Sequence, residues 1–73
     1  MDIIQYKKNI ALKIKARLEE LNINRKQFAA LMEVQPGQVT KWLSGTHNFT
    51  SRTLFAIESA LEFNIFKYEK EKG

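Results

Sequence analysis

Residues 24–45 read NRKQFAALMEVQPGQVTKWLSG and predict two short helices joined by a tight turn. Asn24 and Gln27 form a capping-box pattern, in which each side chain accepts a hydrogen bond from a backbone N–H at the start of a helix. The first helix is therefore predicted to begin near Arg25. Pro36 indicates where the second helix begins, because proline suits the first turn of a helix and disfavours helical geometry in the residue before it.

Each predicted helix carries an apolar stripe at helical spacing. The stripe of the first helix consists of Phe28, Ala29, Leu31 and Met32. The stripe of the second helix consists of Val39, Trp42 and Leu43. An aromatic ring such as that of Trp42 can stack on an unpaired base, but its place in the stripe favours packing in the core. Gly45 is predicted to end the second helix as its C′ residue.

The face of the second helix that does not pack is polar. It presents the amide of Gln38, the hydroxyl of Thr40 and the ammonium of Lys41, and no carboxylate. Such groups match the donors and acceptors on base-pair edges, and the major groove of DNA is wide enough to admit one α-helix. The pattern favours double-stranded DNA as the partner. The alternative is that these side chains are exposed helix residues without a ligand.

Residues 25–44 resemble the helix-turn-helix of the phage-repressor (Xre-like) family. Six side chains occupy the apolar positions of that motif: Phe28, Ala29, Met32, Val34, Val39 and Trp42. The similarity continues through the loop at residues 45–50 and covers about residues 15–62. The resemblance implies an all-α, lambda-repressor-like domain of four or five helices over residues 1–73. It also implies that the helix at residues 36–44 enters the major groove and that the protein is a transcriptional repressor.

The resemblance and the polar residues around the motif together suggest which residues contact DNA. Base reading is expected from Gln38, Thr40 and Lys41. Lys41 fits the inner reading position and is expected to donate to a guanine O6 or N7. Contacts to phosphate are expected from Arg25, Gln35, Gly37, Ser44, Thr46, His47, Asn48, Thr50 and Arg52. Gln35 is alternatively expected to cap the second helix, and Arg25 adds a guanidinium to a helix N-terminus that already favours anions.

Two residues depart from the family pattern. Glu33 stands where the family commonly has glycine, and a left-handed backbone there would cost about 1–2 kcal/mol. Because a carboxylate close to DNA is unfavourable, Glu33 is expected to face solvent. Gly37 stands where relatives usually place a base-reading side chain, so direct readout falls to fewer residues and DNA shape gains weight.

These departures keep alternatives to a DNA-binding repressor open. The first is a protein-interaction module that keeps the fold and has lost DNA binding, which Glu33 and Gly37 support. The second is admitted by the resemblance: an antitoxin, which binds a toxin protein while repressing its own promoter.

A long helix is predicted before the motif. Asp2 repeats the cap pattern and opens a helix over about residues 3–21. Its buried stripe is predicted to be Ile10, Ile14, Leu18 and Leu21. Most of its lysines are interpreted as a solvated face. The family places the end of this helix near the DNA backbone, so Lys13 or Arg17 is expected to contact phosphate.

Another helix and a tail follow the motif. Thr50 is predicted to cap a helix over about residues 51–61. The tail, residues 63–73, then contains four large apolar side chains: Phe63, Ile65, Phe66 and Tyr68. They predict an extra strand or a short helix that either closes the core or is buried in a second copy of the chain. A homodimer would read half-sites about 34 Å apart.

The net charge of +4 is unevenly distributed. Residues 1–54 carry nine Lys or Arg against four Asp or Glu, whereas residues 55–73 carry three against four. The basic excess therefore coincides with the predicted DNA-binding motif, where it would add affinity by releasing counterions from phosphates. The alternative is that the lysines only solvate a small protein.

Residues with catalytic or metal-binding chemistry are scarce. The chain has no cysteine, one histidine, His47, and one aspartate, Asp2. A catalytic triad, a disulfide and a zinc site are therefore not expected, and neither an enzyme activity nor a cofactor is predicted. No apolar run is long enough to span a bilayer and no signal peptide is recognisable. We expect a cytoplasmic protein without a membrane partner.

Overall fold

Four α-helices follow one another along the chain. The computed structural model describes residues 2–65. Over that range the helices are α1 (Ile3–Leu21), α2 (Arg25–Met32), α3 (Pro36–Trp42) and α4 (Ser51–Leu61), and no strand is present. The predicted all-α class is confirmed. The rest of the tail, residues 66–73, lies outside the described residues, so the predicted extra strand or closing helix stays a prediction.

Side chains cap three of the helices at their N-termini. Asp2 Oδ1 accepts a hydrogen bond from the backbone N–H three residues ahead at 2.9 Å, and Thr50 Oγ1 accepts one from the Thr53 N–H at 3.1 Å. At α2 the capping box is complete, since Asn24 and Gln27 each accept from the other's N–H at 2.8 Å. Each cap contributes about 1 kcal/mol to stability. The helix starts predicted from these patterns are confirmed.

Three helices end in left-handed backbone. Asn22, Glu33 and Glu62 follow α1, α2 and α4 with φ of 60°, 59° and 55°. Glu33 is exposed, as expected. The turn after α2 therefore has the backbone geometry that suits glycine, although glutamate occupies it. A left-handed L-residue costs about 1–2 kcal/mol.

The end of α3 differs from the prediction. The helix ends at Trp42 instead of Ser44, and Leu43 is its C-cap with φ of −90°. Gly45 has φ of 88° but lies two positions beyond that cap, so its assignment as the C′ residue is wrong. Ser44 Oγ donates to the Lys41 carbonyl at 2.7 Å. The Ser44 N–H donates to the same carbonyl at 3.2 Å, so Ser44 closes the helix end with its backbone and its side chain, without a left-handed residue.

The core lies between the four helices. Its buried side chains are Ile10, Ile14, Leu18, Phe28, Ala29, Val39, Trp42, Leu43, Leu54, Ile57, Leu61 and Ile65. Two residues predicted to be buried are not, because Leu21 is 38% exposed and Leu31 is 50% exposed. Leu21 is the last residue of α1, and beyond it Ile23 packs against the core instead. Leu31 lies at the edge of the apolar stripe of α2, where no described helix covers it.

Two cations of α1 hold the end of α4. Arg17 donates from Nε to the Leu61 carbonyl at 2.9 Å and from Nη2 to the Glu62 carbonyl at 3.0 Å. Lys13 Nζ donates to the carbonyl of Ile65 at 2.7 Å. Arg17 thus satisfies carbonyls at the C-terminal end of α4, and Lys13 satisfies a carbonyl of the chain that follows it. The structure thus shows an intrachain role for Lys13 and Arg17. The phosphate contact that the resemblance implies for one of them stays a prediction.

The beginning of the tail closes this end of the core. Ile65 is fully buried, and its N–H donates to Glu58 Oε2 at 2.7 Å. Phe63 is half-buried under the Arg17 guanidinium, which lies 5.8 Å from the ring centroid. For these two tail residues the structure supports closure of the chain's own core. Phe66 and Tyr68 lie outside the described residues.

Replacing Arg17 is expected to destabilise the fold. Arg17→Ala removes two charge-assisted hydrogen bonds and the contact with Phe63, and should lower the free energy of unfolding by about 2 kcal/mol. The matched control is Glu20→Ala, which removes only the 3.1 Å ion pair of Arg17 with Glu20 at an exposed site and should cost less than about 1 kcal/mol. Urea unfolding followed by Trp42 fluorescence measures both. Equal effects of the two changes would contradict the assigned role of Arg17.

Replacing Glu33 by glycine is expected to stabilise the protein. Glu33→Gly relieves the left-handed strain, and after subtracting the larger chain entropy of glycine the gain should be about 0.5–1 kcal/mol. Glu19→Gly places the same substitution inside α1, where it should cost up to about 1 kcal/mol. Thermal unfolding of both variants should therefore show shifts of opposite sign. A lower melting temperature for Glu33→Gly would disprove the strain.

Candidate nucleic-acid interface

The turn between α2 and α3 is fixed by backbone hydrogen bonds. The Val34 N–H donates to the Ala29 carbonyl at 2.9 Å, and the Glu33 N–H donates to the Ala30 carbonyl at 3.1 Å. Val34 packs against the core at the same point. These two hydrogen bonds and the apolar contact of Val34 together form a Schellman motif, which is common at the C-terminal ends of helices. It sets the direction in which α3 leaves α2.

Packing of one face of α3 determines which face is exposed. Val39 is fully buried and Trp42 is 5% exposed. The Trp42 ring lies 5.8 Å from the ring of Phe28, centroid to centroid, with the planes tilted by 59°. The prediction that Trp42 belongs to the core is confirmed. The opposite face of α3 therefore remains available to a ligand.

The three predicted base-reading residues lie on the free side of α3 but differ in availability. Lys41 is exposed, and its ammonium has no hydrogen bond or ion pair with any residue from 2 to 65. Thr40 is exposed, and its hydroxyl donates to the Pro36 carbonyl at 3.4 Å, which is a long, weak bond. Gln38 is half-buried. Lys41 is thus the most available of the three for a base edge.

At the start of α3, backbone groups rather than side chains are available to a ligand. Gln35 is the N-cap residue, but its side chain makes no capping hydrogen bond, so the expectation that it caps the helix is wrong. Pro36 occupies the first turn as predicted. A Cβ added at Gly37 would meet nothing within 4 Å, so the surface at Gly37 is open. A phosphate or sugar could approach the backbone closely there.

The loop after α3 is held together by its own hydroxyls. The Ser44 hydroxyl hydrogen is donated to the Lys41 carbonyl, so the 2.9 Å contact between Ser44 Oγ and Thr46 Oγ1 is donated by Thr46. The Thr46 N–H also donates to Ser44 Oγ at 3.2 Å. Both hydroxyl hydrogens are therefore committed within the loop. Ser44 and Thr46 shape the loop, and a phosphate would be bound by other groups.

Two further loop residues follow this hydroxyl pair. The His47 ring meets the ring of Phe49 edge to face, with centroids 4.8 Å apart, and Phe49 packs against the core. Phe49 thus acts as an apolar anchor for the loop. Asn48, between them in sequence, is exposed. The loop therefore holds an imidazole and an amide beside α3.

A groove unites α3 with this loop. Its volume is about 630 Å³, and its lining consists of Thr40, Lys41, Ser44, Thr46, His47 and Asn48. All six are among the predicted DNA-contacting residues. The remaining predicted residues Arg25, Gln35, Gly37, Gln38, Thr50 and Arg52 do not line the groove.

Three of these remaining residues lie at the N-termini of α2 and α4. Arg25 is the first residue of α2 and Arg52 the second of α4, and both are exposed. Cations at these positions reinforce the positive end of each helix. Thr50 uses its hydroxyl within the chain, since Oγ1 accepts from the Thr53 N–H and donates to the Thr53 hydroxyl at 3.0 Å. Its side chain therefore has no hydrogen left for a phosphate.

Lys8 lies beside the loop but is not among the residues that the sequence predicts to contact DNA. A Cβ added at Gly45 would lie 3.4 Å from Lys8 Cγ, so the start of α1 touches the loop. The two residues are far apart in sequence and share no periodic pattern. No signal in the sequence identifies this contact.

Two other kinds of function, metal binding and membrane spanning, find no support among the described residues. Within residues 2–65, no group of three or more His, Cys, Asp or Glu side chains is placed to hold a metal ion. No helix in the described part of the chain is long and apolar enough to cross a membrane.

A short exposed helix, fixed at a set angle by a tight turn and followed by a polar loop, is the architecture of a helix-turn-helix DNA-binding domain. A model of the helix-turn-helix family matches residues 14–68, which is more than half of the chain. The chain belongs to this family, of the phage-repressor (Xre-like) type, whose members are DNA-binding regulators. Neither the curated proteins nor the solved structures contain a significant match.

Proposed function

We propose that residues 1–73 form one helix-turn-helix domain that binds double-stranded DNA sequence-specifically and represses transcription, with α3 in the major groove. The observation that carries the proposal is the groove between α3 and the loop after it. Lys41 lies on the wall of that groove with an ammonium that has no partner among residues 2–65. The buried face of α3 fixes this arrangement before DNA arrives.

Base reading falls mainly to Lys41. An exposed ammonium on the outer face of α3 can donate to the O6 and N7 acceptors of guanine in the major groove. Thr40 presents its methyl group once its hydroxyl is bonded to the Pro36 carbonyl, and a methyl group suits contact with the methyl of thymine. Gln38 reaches the same surface from a half-buried position. Because the surface at Gly37 is open, DNA can approach the backbone of α3 closely there. This close approach and the shape of the DNA supply the rest of the discrimination between DNA sequences.

Phosphate binding is assigned to groups that the fold leaves unpaired. Arg25 and Arg52 supply guanidinium groups at helix N-termini, where the helix dipole adds to their attraction for phosphate. His47 and Asn48 supply side-chain donors from the loop. Gln35 would contribute through its side chain, Gly37 through close approach of the backbone, and Thr50 through its backbone. Ser44 and Thr46 would hold the loop in shape, because their N–H groups and hydroxyl hydrogens are already bonded within the chain. The basic excess of residues 1–54 supports this surface by counterion release.

A homodimer is the proposed functional state. Dimers of such motifs place two recognition helices about one DNA turn apart, which gives an inverted-repeat operator. Phe55 on α4 is 70% exposed, and Ile3 and Ile4 on α1 are 67% and 60% exposed, so apolar surface remains after the core is closed. We propose that the second copy covers part of this surface together with the end of the tail.

A second candidate function is a protein-interaction module, with a toxin as one such partner. Gly37 favours it, because the open surface at this position lacks the side chain that would read a base. In either function the chain would act without a catalytic site or cofactor, and we place it in the cytoplasm.

The proposal is tested by selecting bound duplexes from a random-sequence pool at two salt concentrations. Enrichment of an inverted repeat with half-sites about ten base pairs apart is expected. Enrichment of a single half-site would support DNA binding and contradict the proposed homodimer. If nothing is enriched and no duplex is retained at low salt, DNA binding is disproved and the protein-interaction module takes its place.

Two substitutions separate base reading from phosphate binding. Lys41→Ala should weaken binding to the selected site by about 1–3 kcal/mol and binding to a scrambled duplex much less. Arg25→Ala should weaken binding to both duplexes alike and reduce the salt slope by about one unit. Fluorescence anisotropy on the two duplexes over a salt series measures both effects. Equal losses for Lys41→Ala on both duplexes would remove Lys41 from the base-reading set.

A further inference from the structure

The beginning of α1 packs directly on the loop after α3. A Cβ added at Gly45 would lie 3.4 Å from Lys8 Cγ and 3.8 Å from Lys8 Cα. Gly45 is buried with φ of 88°, so the loop turns against the stem of Lys8. Lys8 as a residue is nevertheless exposed. The first carbons of the Lys8 side chain therefore lie beside the loop, while the residue as a whole remains exposed.

Positive charge lies on two sides of the loop. On the side of α3, Lys41 lines the groove together with His47 and Asn48. On the side of α1, Lys7 lines a cavity of about 200 Å³ that His47 and Asn48 also border. Lys8 stands beside Gly45 at the beginning of the same loop. A phosphate bound at the loop would thus lie between cations from α3 and α1.

The Lys8 ammonium is free to bind an anion. It has no hydrogen bond or ion pair with any residue from 2 to 65. By contrast, Arg17 and Lys13, further along the same helix, donate to carbonyls at the end of α4 and just after it. Among these three cations of α1, Lys8 is the one that combines a position beside the loop with a free charge.

We propose that Lys8 binds a DNA phosphate next to the phosphate held by His47 and Asn48, so that the start of α1 extends the DNA-binding surface beyond α3 and its loop. The inference rests on the proposed DNA-binding function. It moves the phosphate contact of α1 from the end of the helix, where the family resemblance implies it, to the beginning. The reason is geometric, because Gly45 brings the loop onto Lys8.

The salt dependence of binding tests this contact. The probe is a mixed-sequence duplex, since phosphate contacts carry no sequence preference. Lys8→Gln should reduce the slope of log affinity against log salt by about 0.9, the amount expected for one phosphate contact. Lys8→Arg should restore the slope. Lys15→Gln is the matched control, because Lys15 is an exposed lysine two turns further along α1 that also has no partner among residues 2–65.

Each outcome decides the assignment. A reduced slope for Lys8→Gln with an unchanged slope for Lys15→Gln supports the contact, provided that thermal unfolding shows both variants to be as stable as the parent. Equal reductions in both variants would show a general charge effect and overturn it, as would an unchanged slope for Lys8→Gln while the parent protein binds. If the parent protein fails to bind duplex DNA at low salt, the proposed function itself is overturned.

Discussion

The contact between Trp42 and Phe28 determines which face of α3 is available for recognition. The two rings lie 5.8 Å apart in the middle of the core, and Val39 is buried beside them. A helix as short as α3, Pro36–Trp42, is not stable through its own hydrogen bonds, so packing of its apolar face must hold it. The same packing fixes its rotation about its axis. Lys41 and Thr40 are outward because Trp42 and Val39 are inward.

Local features of the fold were predictable from the sequence because their causes are local. The capping box at Asn24 and Gln27, the N-cap at Thr50 and the proline at the start of α3 each act within a few residues. The left-handed turn at Glu33 was recognisable only through the family resemblance, since glutamate has no preference for that backbone. The polar face of α3 followed from helical periodicity alone.

Features that depend on long-range contacts were not predictable. Leu21 and Leu31 continue apolar stripes, yet whether they are buried depends on which helix covers them. The intrachain hydrogen bonds of Arg17 and Lys13 were not predictable for the same reason, because their partners lie more than forty residues away. At Gly45 the prediction failed for a local reason, since Ser44 is an alternative cap for α3. The candidate site was thus predictable on α3 and much less so around the loop and α1.

The hydrogen bond between the hydroxyls of Ser44 and Thr46 affects both the rate and the selectivity of ligand binding at this surface. Because both hydroxyl hydrogens are already used, the loop is preorganised and does not need to be ordered when a ligand arrives. Association should then approach the rate set by diffusion and electrostatic steering, without a slow rearrangement. A rigid loop cannot change its conformation to fit the ligand, so duplexes with a different groove width would bind more weakly. Selectivity for DNA shape would follow from stiffness at Ser44 and Thr46, residues that carry no base-reading chemistry of their own.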